Sequence, residues 1–335
     1  MSRIGKQTLL LERSPVILGS ASSVGSLEAS GPLAGTFDHV SDDAYYGQRT
    51  WEKAESAMQA QAFSLACTKC GVLPGNLDMV FAGDLLNQCT ATALMLRETG
   101  IPFFGLYGAC STMAESIALA AMCINAGYAN RAAAVTSSHF CTAERQFRMP
   151  LEYGGQRGPS SQWTATAAGA MLMGSEGDGA RVTHVTPGKI LDTGMTDSMN
   201  MGAAMAYAAF DTLHAHFRDL DVGAEHYDLI VTGDLAFVGH SLVLELFRRE
   251  LNVELTNYND CGLMLYSRDQ HDINAGGSGC GCSAAVLCGY IMRELNSGRL
   301  KRVLFAGTGA LMSAVSSGQG ESIPGICHAV AIERS

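Results

Sequence analysis

The chain has 335 residues, 47% hydrophobic, 16% charged and 7% aromatic, with 38 glycines and a net charge of −10. At ~150 residues per domain that length predicts about two domains, and the low charge excludes disorder in favour of a large core or a broad subunit interface. With 32 acidic against 22 basic residues and no basic run beyond Arg299 to Arg302, nucleic acid is excluded as an expected partner.

In chain order, Val16–Gly19 predicts a short strand and Thr50–Cys70 a helix with apolar residues at helical spacing. Met79–Ala82 follows as a buried strand, then a helix over Ser111–Asn125 stopped by Asn125-Ala126-Gly127, then strands Ala132–Thr136 and Ala167–Met173. Ser175-Glu176-Gly177-Asp178-Gly179 predicts a seam, dividing the chain into halves 1–178 and 179–335. Beyond it Val182–Val185, Met199–Phe217, Leu229–Val231, Ser283–Leu295, Arg302–Ala306 and Cys327–Ile332 repeat the earlier order. No apolar run reaches the ~18–20 residues of a membrane span, and the N-terminus lacks a signal-peptide pattern. Eleven cysteines, an odd number set in apolar or Gly-rich segments, predict reduced thiols in a cytosolic compartment. Cys67-Thr68-Lys69-Cys70 reads as helical core, since a metal site needs a second such pair.

The sequence also repeats in detail. Val80-Phe81-Ala82-Gly83-Asp84-Leu85 returns as Ile230-Val231-Thr232-Gly233-Asp234-Leu235, an offset of 150. Asn125-Ala126-Gly127 returns as Asn296-Ser297-Gly298 at an offset of 171, which carries Gly108-Ala109-Cys110 onto Gly279-Cys280-Gly281 and places an insertion near Tyr266–Gly277. Alternating strands and helices, twice over, predict an α/β fold of two fused units related by a pseudo-twofold, five-layered α/β/α/β/α.

The most informative turn is Gly105-Leu106-Tyr107-Gly108-Ala109-Cys110-Ser111. A cysteine opening a helix lies beside unpaired N–H groups and the positive dipole end, which lowers a thiol pKa and suits a carboxylate or an oxyanion. Most free cysteines are instead small buried hydrophobes.

The duplicated plan with its Gly-Ala-Cys-Ser turn resembles the thiolase and ketoacyl-synthase superfamily. More closely, nearly the whole chain resembles the stage V sporulation protein AD family of spore-forming bacteria. The residues carrying that likeness are Gly108-Ala-Cys-Ser-Thr-Met113, Thr136-Ser-Ser-His-Phe140, Ala143-Glu-Arg-Gln-Phe-Arg148, Pro150-Leu-Glu-Tyr-Gly154, Gln162-Trp-Thr164, Gly233-Asp234, and Asp43-Ala-Tyr-Tyr-Gly47 with Trp51-Glu-Lys-Ala-Glu55. Related synthases add a His after the second-half strand and an Asn or His on the second Gly-rich turn. This chain has Thr232-Gly233-Asp234 and Gly277-Ser278-Gly279-Cys280-Gly281-Cys282-Ser283 at those places. His139, His240 and His271 are the substitutes considered for the missing base, His139 foremost.

The resemblance implies a non-catalytic protein that binds dipicolinic acid, pyridine-2,6-dicarboxylate, in the former active-site cavity. It further implies transport of that ligand into the developing spore and release on germination, alongside membrane subunits of the same system at the inner spore membrane. A planar dianion calls for guanidinium partners, helix N-terminal N–H groups and an apolar slot. The expected ligand-binding set is therefore Cys110, Ser111, His139, Arg145, Arg148, Gly233, Asp234, Gly281 and Cys282, with Arg157, Phe147 and Tyr153 beside the arginines. Asp84 and Asp234, equivalent in the repeat, are expected as structural caps. No cofactor and no intrinsic metal site are expected, and calcium enters only as the dipicolinate chelate. The competing reading is a Cys110-dependent acyltransferase or ketoacyl synthase acting on a thioester. A homodimer is expected, pairing the strand Ala132–Thr136 across a twofold axis.

Overall fold

The computed structural model describes residues 2–147 and 157–334. Five first-half strands, β1 (Val16–Gly25), β2 (Met79–Gly83), β3 (Phe103–Gly105), β4 (Arg131–Ser138) and β5 (Ala167–Gly174), are followed by five more. These are β6 (Arg181–Thr186), β7 (Leu229–Thr232), β8 (Tyr258–Asp260), β9 (Arg302–Ala310) and β10 (Gly325–Glu333). They pair in the order β8-β7-β9-β10-β6-β1-β5-β4-β2-β3. Read outward from the middle, both runs follow one permutation, and the directions match: the outer pairs are parallel, the inner ones antiparallel. A single register pair, Val16 with Arg181, joins β1 to β6.

Helix α1 (Trp51–Cys70) starts where the Thr50 hydroxyl accepts the Lys53 N–H and stops at Gly71, whose φ of 64° a side chain would strain. It covers the outer face of β1 and β5, while α4 (Met201–Leu220) covers β10 and β9. Between the sheets lie α2 (Thr112–Asn125) and α6, which runs from Cys280–Ala285 through Val286–Ile291 to Met292–Ser297. Helix α2 touches β4 and β2 on one side and β9 and β10 on the other. It can do so because Ala114, Ala120 and Ala121 let both sheets approach, and all three are fully buried. The five expected layers are present, held by one central apolar cluster and one beneath each outer helix layer.

The repeat is resolved to a single residue. A positive-φ residue precedes each central cysteine, Ala109 at 51° and Gly279 at 100°, so Cys110 is equivalent to Cys280, at an offset of 170, rather than to Gly281. By the helix ends, Gly127 and Gly298 at φ 78° and 77°, the offset is 171. The additional residue is absorbed by the π-helical turn Val286–Ile291, the usual consequence of inserting one residue into an α-helix.

Strand β4 lies between β2 and β5 and has no free edge to offer a second copy. The open edge of this half is β3, where Phe103 and Phe104 are exposed. Among the described residues no helix is long and apolar enough to cross a membrane.

Candidate functional site

Cys110 lies where β3 gives way to α2, on a short 3-10 turn, Ala109–Ser111, that leads into the helix. Ser111 turns away from the site, its hydroxyl donating to the Gly108 carbonyl at 2.7 Å. The cysteine is one wall of a cavity of about 270 Å³. The rest of the wall is mostly apolar: Leu85, Tyr107, Ala143 and Phe147 from the first half, Met201, Ala310, Leu311 and Met312 from the second. Thr164, Ser278 and Ser313 supply hydroxyls, and Glu144 a carboxylate.

Behind the thiol stands Asp234. It is fully buried, and next to burial itself its charge opposes ionisation of Cys110. It accepts the Gly279 N–H at 2.9 Å and the hydroxyls of Thr308 and Ser278 at 2.8 and 3.2 Å. Asp234 is therefore tied to the second Gly-rich turn and acts electrostatically on the cysteine of the first. Asp84, its partner in the repeat, only ties down its own loop, accepting the N–H groups of Leu86 and Thr92 at 2.9 and 2.8 Å.

These surroundings fix the charge on Cys110. Burial pushes the thiol well up, and the carboxylate of Asp234 and the neighbouring Cys280 add to it. Against this stands the α2 N-terminus, worth ~0.3–1 kcal/mol and at most ~2, which falls off within the first turn and does not offset complete burial. Burial and the carboxylate win, and Cys110 is a neutral thiol. Asp234 is itself raised by burial, though its hydrogen-bond donors oppose the shift.

No histidine among the described residues supplies a base here. His139 is buried, takes the Cys141 N–H on Nδ1 at 3.1 Å and meets the Ala44 carbonyl through Nε2 at 2.9 Å. Burial lowers its pKa, so it is neutral. The His240 ring stacks on Tyr258 at 4.6 Å, and His271 is an exposed side chain beside Asp272.

Of the expected ligand-binding set, the structure brings together Cys110 and Asp234. Arg145 is ion-paired to Glu52 of α1 and does not line the cavity; Arg148 and Tyr153 lie outside the described residues. Gly233 and Gly281 are packing glycines, since a Cβ on Gly281 would come 2.1 Å from the Ala167 carbonyl oxygen and one on Gly233 2.9 Å from the Thr308 nitrogen. Cys282 is wholly buried and does not reach the cavity wall. Sequence reasoning missed Tyr107, Met201, Met312 and Ser313. Of these only Tyr107 lies in a turn that the sequence singles out, residues 105–111.

Solved structures define the class. The 3-oxoacyl-[acyl-carrier-protein] synthase III of Aquifex aeolicus VF5 superposes with a TM-score of 0.57 at 12% identity, covering 95% of this chain and 99% of that one. The acetamide-bound OleA of Xanthomonas campestris gives 0.60 at 16%, covering 97% and 100%. The fold is that of the thiolase-like ketoacyl synthases.

Sequence narrows it further. The model of the stage V sporulation protein AD family matches residues 5–333. The stage V sporulation protein AD of Bacillus subtilis (strain 168) is 42% identical over 336 residues, covering 100% of this chain and 99% of that protein. The chain belongs to the stage V sporulation protein AD family.

Proposed function

We propose that this chain is a non-catalytic member of the thiolase-like fold that binds dipicolinic acid in the cavity over Cys110. In this reading it serves transport of dipicolinate into the developing spore and release on germination, working with membrane subunits that hold it at the inner spore membrane. The observation that carries the non-catalytic part is the burial of Cys110 beside the buried carboxylate of Asp234. Acyl transfer needs a thiolate, an activating base and an oxyanion site. A buried thiol next to a buried carboxylate is held away from the first of these, and His139, His240 and His271 are engaged elsewhere.

An apolar, half-enclosed cavity with a few hydroxyls suits a flat aromatic ring. The ring would lie against Phe147, Met201 and Met312, with its carboxylates turned to Ser278, Ser313 and the end of α3 (Phe140–Phe147) that carries Glu144. Calcium enters in the same reading only as the dipicolinate chelate. A homodimer belongs to the same reading, with β3 as the available edge.

Calorimetric titration of dipicolinate, with and without calcium, into the wild type and Cys110→Ala is the test. Saturation is expected at or below millimolar ligand, with affinity changing less than about threefold in Cys110→Ala, because a neutral thiol contributes one weak contact. Failure to saturate discards the reading. Acylation of Cys110 by a thioester, with turnover, would install the acyltransferase in its place.

A further inference from the structure

Helix α3 ends against the cavity, and its Glu144 is the one carboxylate among the described lining residues. Its Oε1 accepts from Arg157 Nη2 at 2.5 Å, and both side chains are only 11% exposed. Arg157 is held independently of that contact. Its Nη1 donates to the Gln162 carbonyl at 2.9 Å. Its guanidinium carbon lies 5.1 and 5.0 Å from the rings of Phe140 and Trp163, which stack on each other at 3.9 Å. The cation is thus fixed by a carbonyl and two aromatic rings, and its Nη2 meets a lining carboxylate that stands between it and the cavity.

We infer that Arg157 is the carboxylate-recognising residue of this cavity and that Glu144 occupies its guanidinium as a stand-in until a carboxylate ligand takes its place. The inference rests on the reading of the cavity as a dipicolinate site. A guanidinium pinned through Nη1 and by aromatic rings keeps its geometry while the carboxylate on Nη2 is exchanged. The exchange conserves charge: one anion leaves Arg157 as another arrives, and the displaced Glu144 moves toward the solvent side of α3. Without it, a dianion entering the cavity would face Glu144 in a water-poor wall, which repulsion forbids. Arg145 cannot serve in this way, being half-exposed and paired with Glu52 of α1 rather than with a lining carboxylate. The device also sets specificity, since a ligand without a carboxylate has nothing with which to displace Glu144.

Dipicolinate and its uncharged analogue pyridine-2,6-dicarboxamide are titrated into the wild type, Arg157→Gln, Glu144→Gln and the double variant, each checked by thermal melting. Losing a charge-assisted hydrogen bond is expected to weaken dipicolinate about tenfold or more in Arg157→Gln and in the double variant. Glu144→Gln, freed of the competitor, is expected to bind several-fold more tightly. Dicarboxamide affinity should move less than about twofold throughout. If Arg157→Gln does not fold, the double variant and Glu144→Gln carry the test. Wild-type saturation with dipicolinate affinity unchanged in these variants overturns the inference alone. A parallel loss for both ligands makes Arg157 merely structural and also overturns it. A wild type that never saturates overturns the reading of the cavity together with the inference built on it.

Discussion

The two central turns are built alike and used differently. Cys110 and Cys280 each follow a positive-φ residue and each open a helix between the sheets. Cys110 reaches the cavity, whereas Cys280 is sealed and donates to the Ser137 carbonyl at 3.0 Å. The aspartates of the repeat diverge in the same sense. Asp84 fixes its own segment, while Asp234 holds the second turn and acts by its charge on Cys110 in the first half. Duplication supplied two equivalent turns; one furnishes the wall and the other anchors the carboxylate that quiets it.

The sharpest way to break this comparison is to remove that carboxylate. Asp234→Ala strands the Gly279 N–H and the Thr308 and Ser278 hydroxyls in a buried site. At ~1–3 kcal/mol for each unsatisfied group, a loss of roughly 3–9 kcal/mol is expected from denaturant unfolding. Asp84→Ala also strands buried donors, the Leu86 N–H and the Thr92 N–H and hydroxyl, but it is expected to cost less because it relieves the repulsion on Glu55. Equal losses would mean that the two aspartates are structural equivalents after all.

A second contrast lies in the outer helices, where α1 carries the buried Glu55 and α4 the buried His216. Glu55, held by Ser137 and Thr142 at 3.0 and 2.6 Å, is pushed up to about 8 by burial and by Asp84. Its folded pKa exceeds the unfolded one, so its contribution is present at low pH and fades as pH rises through 8. His216, between Thr186 and Tyr227 at 2.7 and 2.6 Å, is lowered to about 3 by burial and by the neighbouring histidines. The unfolded chain therefore binds the extra proton, and stability falls as pH drops from about 6.5 toward 3. Stability should peak between these limbs, and Glu55→Gln should flatten the alkaline limb by about 1–3 kcal/mol without touching the acid one. Thermal melting from pH 4 to 9 measures both, and a variant that flattened the acid limb would break the assignment.

Much of this was legible in the sequence because it is local. The helix at 51–70 shows itself by spacing and by its Thr50 and Gly71 ends, and the repeat by strings such as Val231-Thr232-Gly233-Asp234. The edge strand β8 was missed because three residues carry no period, and α5 (Ala236–Leu251) was not among the expected elements. The π turn in α6 shows only as a one-residue slip in the repeat. At the site, the turn of Cys110 was legible, whereas the Arg145–Glu52 pair and the wall made by Met201, Met312 and Ser313 are tertiary events between distant segments.

The central claim, that burial together with Asp234 keeps Cys110 a neutral thiol, is tested most directly by the pH dependence of alkylation at Cys110. The measurement follows the Cys110 peptide by mass spectrometry in the wild type and Asp234→Asn. In the wild type the rate should keep climbing past pH 9.0, the ordinary thiol value, without levelling, and in Asp234→Asn the curve should shift to lower pH. A wild-type rate that levels off below pH 7, unchanged in the variant, would show an activated thiolate and contradict the account.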